Sequence, residues 1–222
     1  MIRAVVCGPR RILFSTFAVK TWFIFSDLAV AMDRGVRIEF MPWYGYLILA
    51  AGWIFWVIPF VLAKRDSGPA RVLNRRARWG VVLVGIGYAL LWQGKFWERP
   101  LPVWRLALTI VFQALAGLLA WTGTRALGRQ LRVDAGLSID HELITRGPYR
   151  VVRHPIYASM LCLLLGTGFT LTSWPLLAAA VAFFIAGTEI RIRIEEGLLR
   201  STFGESYEVY RRHVSAYIPF VR

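Results

Sequence analysis

The chain has 222 residues, 57% of them hydrophobic and 18% charged, with a formal net charge of +14. That is more apolar surface than one water-soluble domain can hide, which excludes an ordinary soluble globule. The basic residues fall in short runs between apolar stretches, which excludes a dedicated nucleic-acid-binding domain and makes membrane lipids with anionic headgroups the natural partner.

The first apolar stretch, 12–32, follows Arg3, Arg10 and Arg11 and is interrupted by Lys20 and Asp27, which share nearly one helical face. Its basic start and the small-x-small run Ala29, Val30, Ala31 also suit a signal peptide. As a retained span it would give six crossings with both termini inside; without it there are five, starting outside.

Trp43 to Ala63 carries no charge, and as a helix covers roughly 31 Å, a match to the hydrocarbon core. Pro59 near its end would only kink it. The following loop sets Lys64, Arg65, Arg71, Arg75, Arg76 and Arg78 against Asp66, which makes it cytoplasmic by the positive-inside rule. Trp79 to about Gln93 is a short span whose Gly80, Gly85 and Gly87 allow close helix approach. Val103 to about Leu127 brings the chain back to a side bearing Arg125, Arg129 and Arg132.

From Arg132 to Pro155 the sequence is polar and carries the turn residues Gly136, Gly147 and Pro148, so it reads as a cytoplasmic surface loop. Ile156 to Leu171 and Pro175 to Thr188 then form a helical hairpin around Thr172, Ser173 and Trp174. Beyond Glu189 the apolar positions Leu199, Phe203, Tyr207, Tyr210 and Val214 recur at helical spacing, which predicts an amphipathic tail broken at Gly204 and ending in an extended Tyr217 to Phe220 plug. Cys7 and Cys162 are too few for a disulfide framework and read as free thiols.

The expected fold class is therefore all-α: a polytopic transmembrane helical bundle of five core spans, with 12–32 as an optional sixth, and a cytoplasmic C-terminal helical cap. Residues 1–42 form an N-terminal segment, 43–131 the transmembrane helices, and 132–222 the motif-bearing loop, hairpin and amphipathic helices. A hairpin returns the chain to its starting side, so the polar segments Arg146 to Tyr157 and Arg191 to Glu196 should meet at the cytoplasmic interface. His141, His154 and His213 are isolated from one another, and His141 with Glu142 lacks the second His of a zinc helix motif. No metal site is expected.

The Arg153, His154, Pro155, Ile156, Tyr157 run, preceded by Gly147, Pro148, Tyr149, resembles the Arg-His-Pro-x-Tyr motif of the isoprenylcysteine carboxyl methyltransferase family. Glu195, Glu196 and Leu199, followed by Phe203, Gly204, Tyr207, Tyr210 and an Ile-Pro ending, resemble that family's second motif. The similarity covers about 80 residues. It implies an enzyme, an S-adenosylmethionine-dependent methyltransferase in a prokaryotic cytoplasmic membrane, releasing S-adenosylhomocysteine; loop charge and the alternation of spans put its active site and C-terminus on the cytoplasmic side. By resemblance Gly147, Tyr149, His154, Pro155, Tyr157 and Glu196 serve the cofactor, while Arg191 and Glu195 form the catalytic or substrate-orienting pair. Two adjacent Glu point about 100° apart on a helix, so only one of Glu195 and Glu196 can face the pocket.

The chemistry suits these residue types. Methyl transfer from a sulfonium is an in-line displacement needing alignment and charge stabilisation, and a carboxylate nucleophile needs a cation to hold it but no general base. Carboxyl O-methylation of an isoprenylcysteine-like or other lipophilic acceptor is therefore favoured. Phospholipid N-methylation is the nearest alternative; there Glu195 or His154 would take a proton. A sterol-reductase-like NADPH enzyme and a non-enzymatic membrane protein are alternatives of other classes. Each residue also has a plainer reading: Arg146, Arg150 and Arg153 as headgroup contacts, Arg191 with Glu195 as an ordinary i,i+4 pair, Tyr149 and Tyr157 as interface anchors, and the Leu199 to Val214 stripe as packing. Only the joint order and spacing of the motifs favour the enzyme.

Overall fold

The computed structural model describes residues 41–63, 77–94, 100–131 and 142–218. The 12–32 segment, the basic loop 64–76, residues 132–141 of the polar loop, and Pro219 with Phe220 lie outside them. Among the described residues there are six α-helices: α1 Trp43–Leu62, α2 Ala77–Leu90, α3 Val103–Leu127, α4 Pro155–Leu171, α5 Trp174–Phe203 and α6 Glu205–His213. The protein is an all-α membrane bundle, with a parallel bridge between Val152 and Ser215 tying the chain before α4 to the C-terminal segment.

Helices α1, α3 and α5 are each long and apolar enough to cross a membrane. Only 17% of the most apolar stretch of α1 is buried inside the protein, so lipid must cover the rest. Trp43, Leu47, Ile54 and Leu62 on α1 and Val103, Ile110 and Val111 on α3 face outward accordingly. Helices α2 and α4 are shorter, 14 and 17 residues, and α2 as a helix spans only about 21 Å. Both lie against longer neighbours: α2 packs along α5 and α4 along α3, while the two arms of the α4–α5 hairpin touch each other far less.

Small residues set the closest approach. A Cβ on Gly80 would sit 2.6 Å from the Gly187 carbonyl oxygen, and one on Gly187 would sit 2.5 Å from that of Gly80, so neither helix tolerates a side chain where they cross. Gly87 likewise faces the Ala180 carbonyl, whereas Gly85 looks into open space and takes no part in the approach. Polar side chains tie the remaining helices together, as expected where no water competes: Trp53 Nε1 donates to Thr167 Oγ1 at 3.1 Å, Trp56 Nε1 to Ser159 Oγ at 3.1 Å, and Thr172 Oγ1 to the Leu91 carbonyl at 2.6 Å. A core of Val84, Leu91, Leu164, Leu177, Ala180 and Phe184 fills the space between α2, α4 and α5.

The polar segment after Thr188 does not form a separate tail. It continues α5 without interruption to Phe203, because Arg, Glu and Leu are good helix formers and no breaker intervenes. The apolar part of α5, Pro175 to Thr188, is thus rigidly coupled to the polar part. The helix ends where expected, at Gly204, whose φ of 53° suits glycine and whose N–H bonds the Arg200 carbonyl at 2.9 Å.

Candidate active site

The first wall of the site is built by the chain entering α4. Gly147, at φ +62°, opens a 3-10 turn over Gly147–Arg150 that buries Tyr149, and the Tyr210 hydroxyl of α6 donates to the Tyr149 carbonyl at 2.6 Å. Past the turn, the backbone N–H groups of Arg153 and His154 donate to the carbonyls of Ser215 and Ala216, each at 2.8 Å. The C-terminal segment thereby straps the motif in place. Pro155 starts α4 at a position where its missing N–H costs nothing, and Tyr157 follows within the first turn.

The second wall is the polar end of α5. There the two segments expected to meet do so. Arg153 is 5% exposed and its guanidinium grips Glu196: Nη2 lies 2.7 Å and Nε 3.1 Å from Oε1. Its Nη1 donates to the Arg211 carbonyl at 3.0 Å and also to that of Val214. Burial pushes the Glu196 carboxyl upward, but His154 and Arg153 beside it outweigh burial and hold it at about 2. Glu195, one residue earlier, accepts from the Tyr157 hydroxyl, which itself accepts from Arg191 Nε at 2.7 Å. Arg191 Nη2 is 3.4 Å from Glu195 Oε1, and His154 Nδ1 is 3.8 Å from Glu195 Oε2. Burial works against the charge on Arg191, yet Tyr157 and Glu195 more than offset it and raise its pKa.

These walls enclose a cavity of about 580 Å³. Trp56, Val57, Phe60 and Val61 of α1 and Val81 and Val84 of α2 make its apolar side; Leu127, Gln130, Leu131 and the 142–144 strip make another. Of the residues singled out in the sequence, Tyr149, His154, Tyr157, Arg191 and Glu195 line it, whereas Gly147, Pro155 and Glu196 lie behind its surface. The choice between the adjacent carboxylates is thus resolved by geometry: Glu195 faces the cavity and Glu196 faces Arg153.

For several lining residues the sequence implies no site role, although Tyr207 and Tyr210 stand within the second motif. Tyr207 and Tyr210 belong to the apolar stripe, which reads equally well as packing, and Glu142 sits in a loop with no motif around it. Arg153 reads as a headgroup contact beside Arg146 and Arg150; the latter two are exposed, but Arg153 is buried. Its position inside the Arg-His-Pro run was the only hint.

The Phospholipid methyltransferase family model matches residues 104–206. Over 210 residues, 82% of this chain and 88% of the relative, the sequence is 32% identical to the protein-S-isoprenylcysteine O-methyltransferase of Schizosaccharomyces pombe. The Tribolium castaneum protein-S-isoprenylcysteine O-methyltransferase is 27% identical over 75% of this chain and 60% of its own length. Methanethiol S-methyltransferase 1 of Bradyrhizobium diazoefficiens is 30% identical over 57% of this chain and 50% of its own length. An apolar bundle with a largely apolar cavity that gathers a few charged and hydroxyl side chains on one wall, matched by methyltransferases on several acceptors, is an integral membrane methyltransferase; the reductase-like and non-enzymatic readings find no support in these relatives. The chain belongs to the protein-S-isoprenylcysteine O-methyltransferase family.

Proposed function

We propose that the protein transfers the methyl group of S-adenosylmethionine to the carboxylate of a lipophilic acceptor, an isoprenylcysteine or a compound like it, at the cytoplasmic face of the membrane. The observation that carries this reading is the placement of one guanidinium, Arg191, with the Tyr157 hydroxyl on a cavity whose opposite side is apolar helix surface. A carboxylate with a hydrocarbon tail matches both sides. The name of the fission yeast relative supports the same acceptor class, and the basic loops support the orientation.

The residues present fit the cofactor. A volume near 580 Å³ falls in the range of small-molecule sites, and the Tyr207 hydroxyl and Nε2 of His154 are buried at the lining with no well-formed hydrogen bond, His154 Nε2 lying 3.5 Å from Glu196 Oε1. Tyr149, His154 and Tyr157 would hold it, Gly147 and Pro155 shape the backbone that presents them, and Glu196 acts from behind by fixing Arg153. When bound, the cofactor supplies an electrophilic methyl carbon on a sulfonium. Arg191 and Tyr157 hold the acceptor carboxylate in line, and the apolar wall keeps water away, which sharpens a nucleophile that is already deprotonated.

The test uses purified protein in detergent or nanodiscs. Isothermal titration with S-adenosylmethionine is expected to show binding, and cofactor labelled in its methyl group is expected to leave label on an S-prenylated cysteine as a base-labile ester. Label recovered on phosphatidylethanolamine as a stable methylamine would instead establish phospholipid N-methylation, for which the Glu195 and Glu142 carboxylates at the cavity would attract the amine. Folded protein that binds no cofactor at millimolar concentration would overturn the reading.

A further inference from the structure

Arg191 reaches the cavity already engaged. Its Nε donates to the Tyr157 hydroxyl at 2.7 Å, that hydroxyl donates to Glu195 Oε1, and Nη2 of Arg191 lies 3.4 Å from the same oxygen. One oxygen of Glu195 therefore sits where a carboxylate held by Arg191 and Tyr157 would place its own. The grip is loose on the guanidinium side, since charge-assisted contacts of this kind close to about 2.7–2.9 Å when strong. Glu195 is also the more open partner, its side chain 24% exposed against 12% for Arg191. Its second oxygen lies 3.8 Å from His154 Nδ1, and a shift of under about 1 Å would make that a hydrogen bond.

We propose that Glu195 is a stand-in for the acceptor carboxylate: it occupies the Arg191 and Tyr157 donors until an acceptor arrives, then passes to His154 as the entering carboxylate takes its place. This rests on the carboxylate acceptor proposed above. Before the acceptor binds, Glu195 keeps a largely buried guanidinium paired and oriented, where an unpaired one would be costly. On exchange, one carboxylate replaces another on the same donors, so the charge on the guanidinium stays balanced throughout. Glu195 is therefore a positioning residue: it holds the Arg191 and Tyr157 donors in place between turnovers, at a cost in affinity that falls most heavily on an acid, since the resident charge also repels it.

The experiment compares binding of N-acetyl-S-farnesylcysteine and its primary amide to the S-adenosylhomocysteine complex of the wild type, Glu195→Gln and Glu195→Asp, with S-adenosylhomocysteine affinity measured separately. E195Q keeps the shape and removes the resident charge, so the acid is expected to bind roughly tenfold tighter, the scale of removing one screened like charge, while the amide gains less. E195D keeps the charge and is expected to stay within about twofold of the wild type. Unchanged or weakened binding of the acid by E195Q, with S-adenosylhomocysteine affinity retained, would overturn the exchange while leaving the proposed function standing. Parallel loss of S-adenosylhomocysteine affinity would make Glu195 a structural prop and overturn it as well. Wild-type protein that binds the cofactor product but not the acid would instead sink the acceptor class, and the exchange with it. Should E195Q not fold, Glu195→Ala serves as the neutral variant with the same expectations.

Discussion

At the scale of single residues, the site separates a structural ion pair from a chemical one. Arg153 and Glu196 are both buried and each satisfies the other, so removing one leaves an unpaired charge in a poorly hydrated place. Arg153→Gln is expected to destabilise the folded protein by about 3 kcal/mol or more, read as a lowered thermal midpoint in detergent. The low pKa of Glu196 gives the same pair a pH signature. Its folded value, about 2, lies below its ordinary value of 4.5, so the pair stabilises the fold fully above about pH 4.5, and that contribution fades as pH falls toward 2. Thermal unfolding between pH 6 and pH 3 should show a loss in the wild type that is smaller in Glu196→Gln. Arg191 behaves differently, because it faces the cavity. Arg191→Ala is expected to abolish turnover while cofactor affinity, read by titration, stays largely intact; unchanged turnover would remove the role assigned to it.

At the scale of elements, the line between membrane helix and active-site helix disappears. Helix α5 is one rod of 30 residues, so anything that moves its apolar half moves Arg191 and Glu195 too. Gly80 shows the coupling. A Cβ there would meet both the Gly187 carbonyl and, at 2.6 Å, Cγ of Arg191. Gly80→Ala is therefore expected to lower kcat by displacing the Arg191 stem as well as to destabilise the α2–α5 contact, by an overpacking cost of about 1–3 kcal/mol. Gly85→Ala, in open space on the same helix, should leave activity unchanged and raise the thermal midpoint slightly, by the helix-propensity gain of up to about 1 kcal/mol, which separates the crossing from helix propensity.

At the scale of the whole molecule, distant parts of the chain close on one another. Residues 214–216 accept from Arg153 and His154 and so fix the entry to α4, although some sixty residues of hairpin lie between them. Deleting residues 214–222 is expected to weaken cofactor binding strongly even though none of the described residues among them, 214–218, lines the cavity, with titration as the measurement. Protein that still bound the cofactor normally would show that α6 alone suffices to hold the Tyr149 turn.

Much of this architecture was legible in the sequence because bilayer chemistry is severe. An uncharged run such as 43–63 has one comfortable environment, Gly204 has one obvious effect on a helix, and a hairpin must return its arms to one side. Those constraints are local, so composition, span length and motif order determined the membrane bundle and the meeting of Tyr149 to Tyr157 with Arg191 to Glu196. What tertiary structure decided was which atoms face which. Glu195 and Glu196 are chemically identical neighbours, and Arg153 differs from Arg150 only in position. Only the packing of α5 against the strapped start of α4 turns Glu196 onto Arg153 and leaves Glu195 with Arg191 at the cavity, because side-chain direction on a helix acquires meaning only when a partner surface is in place.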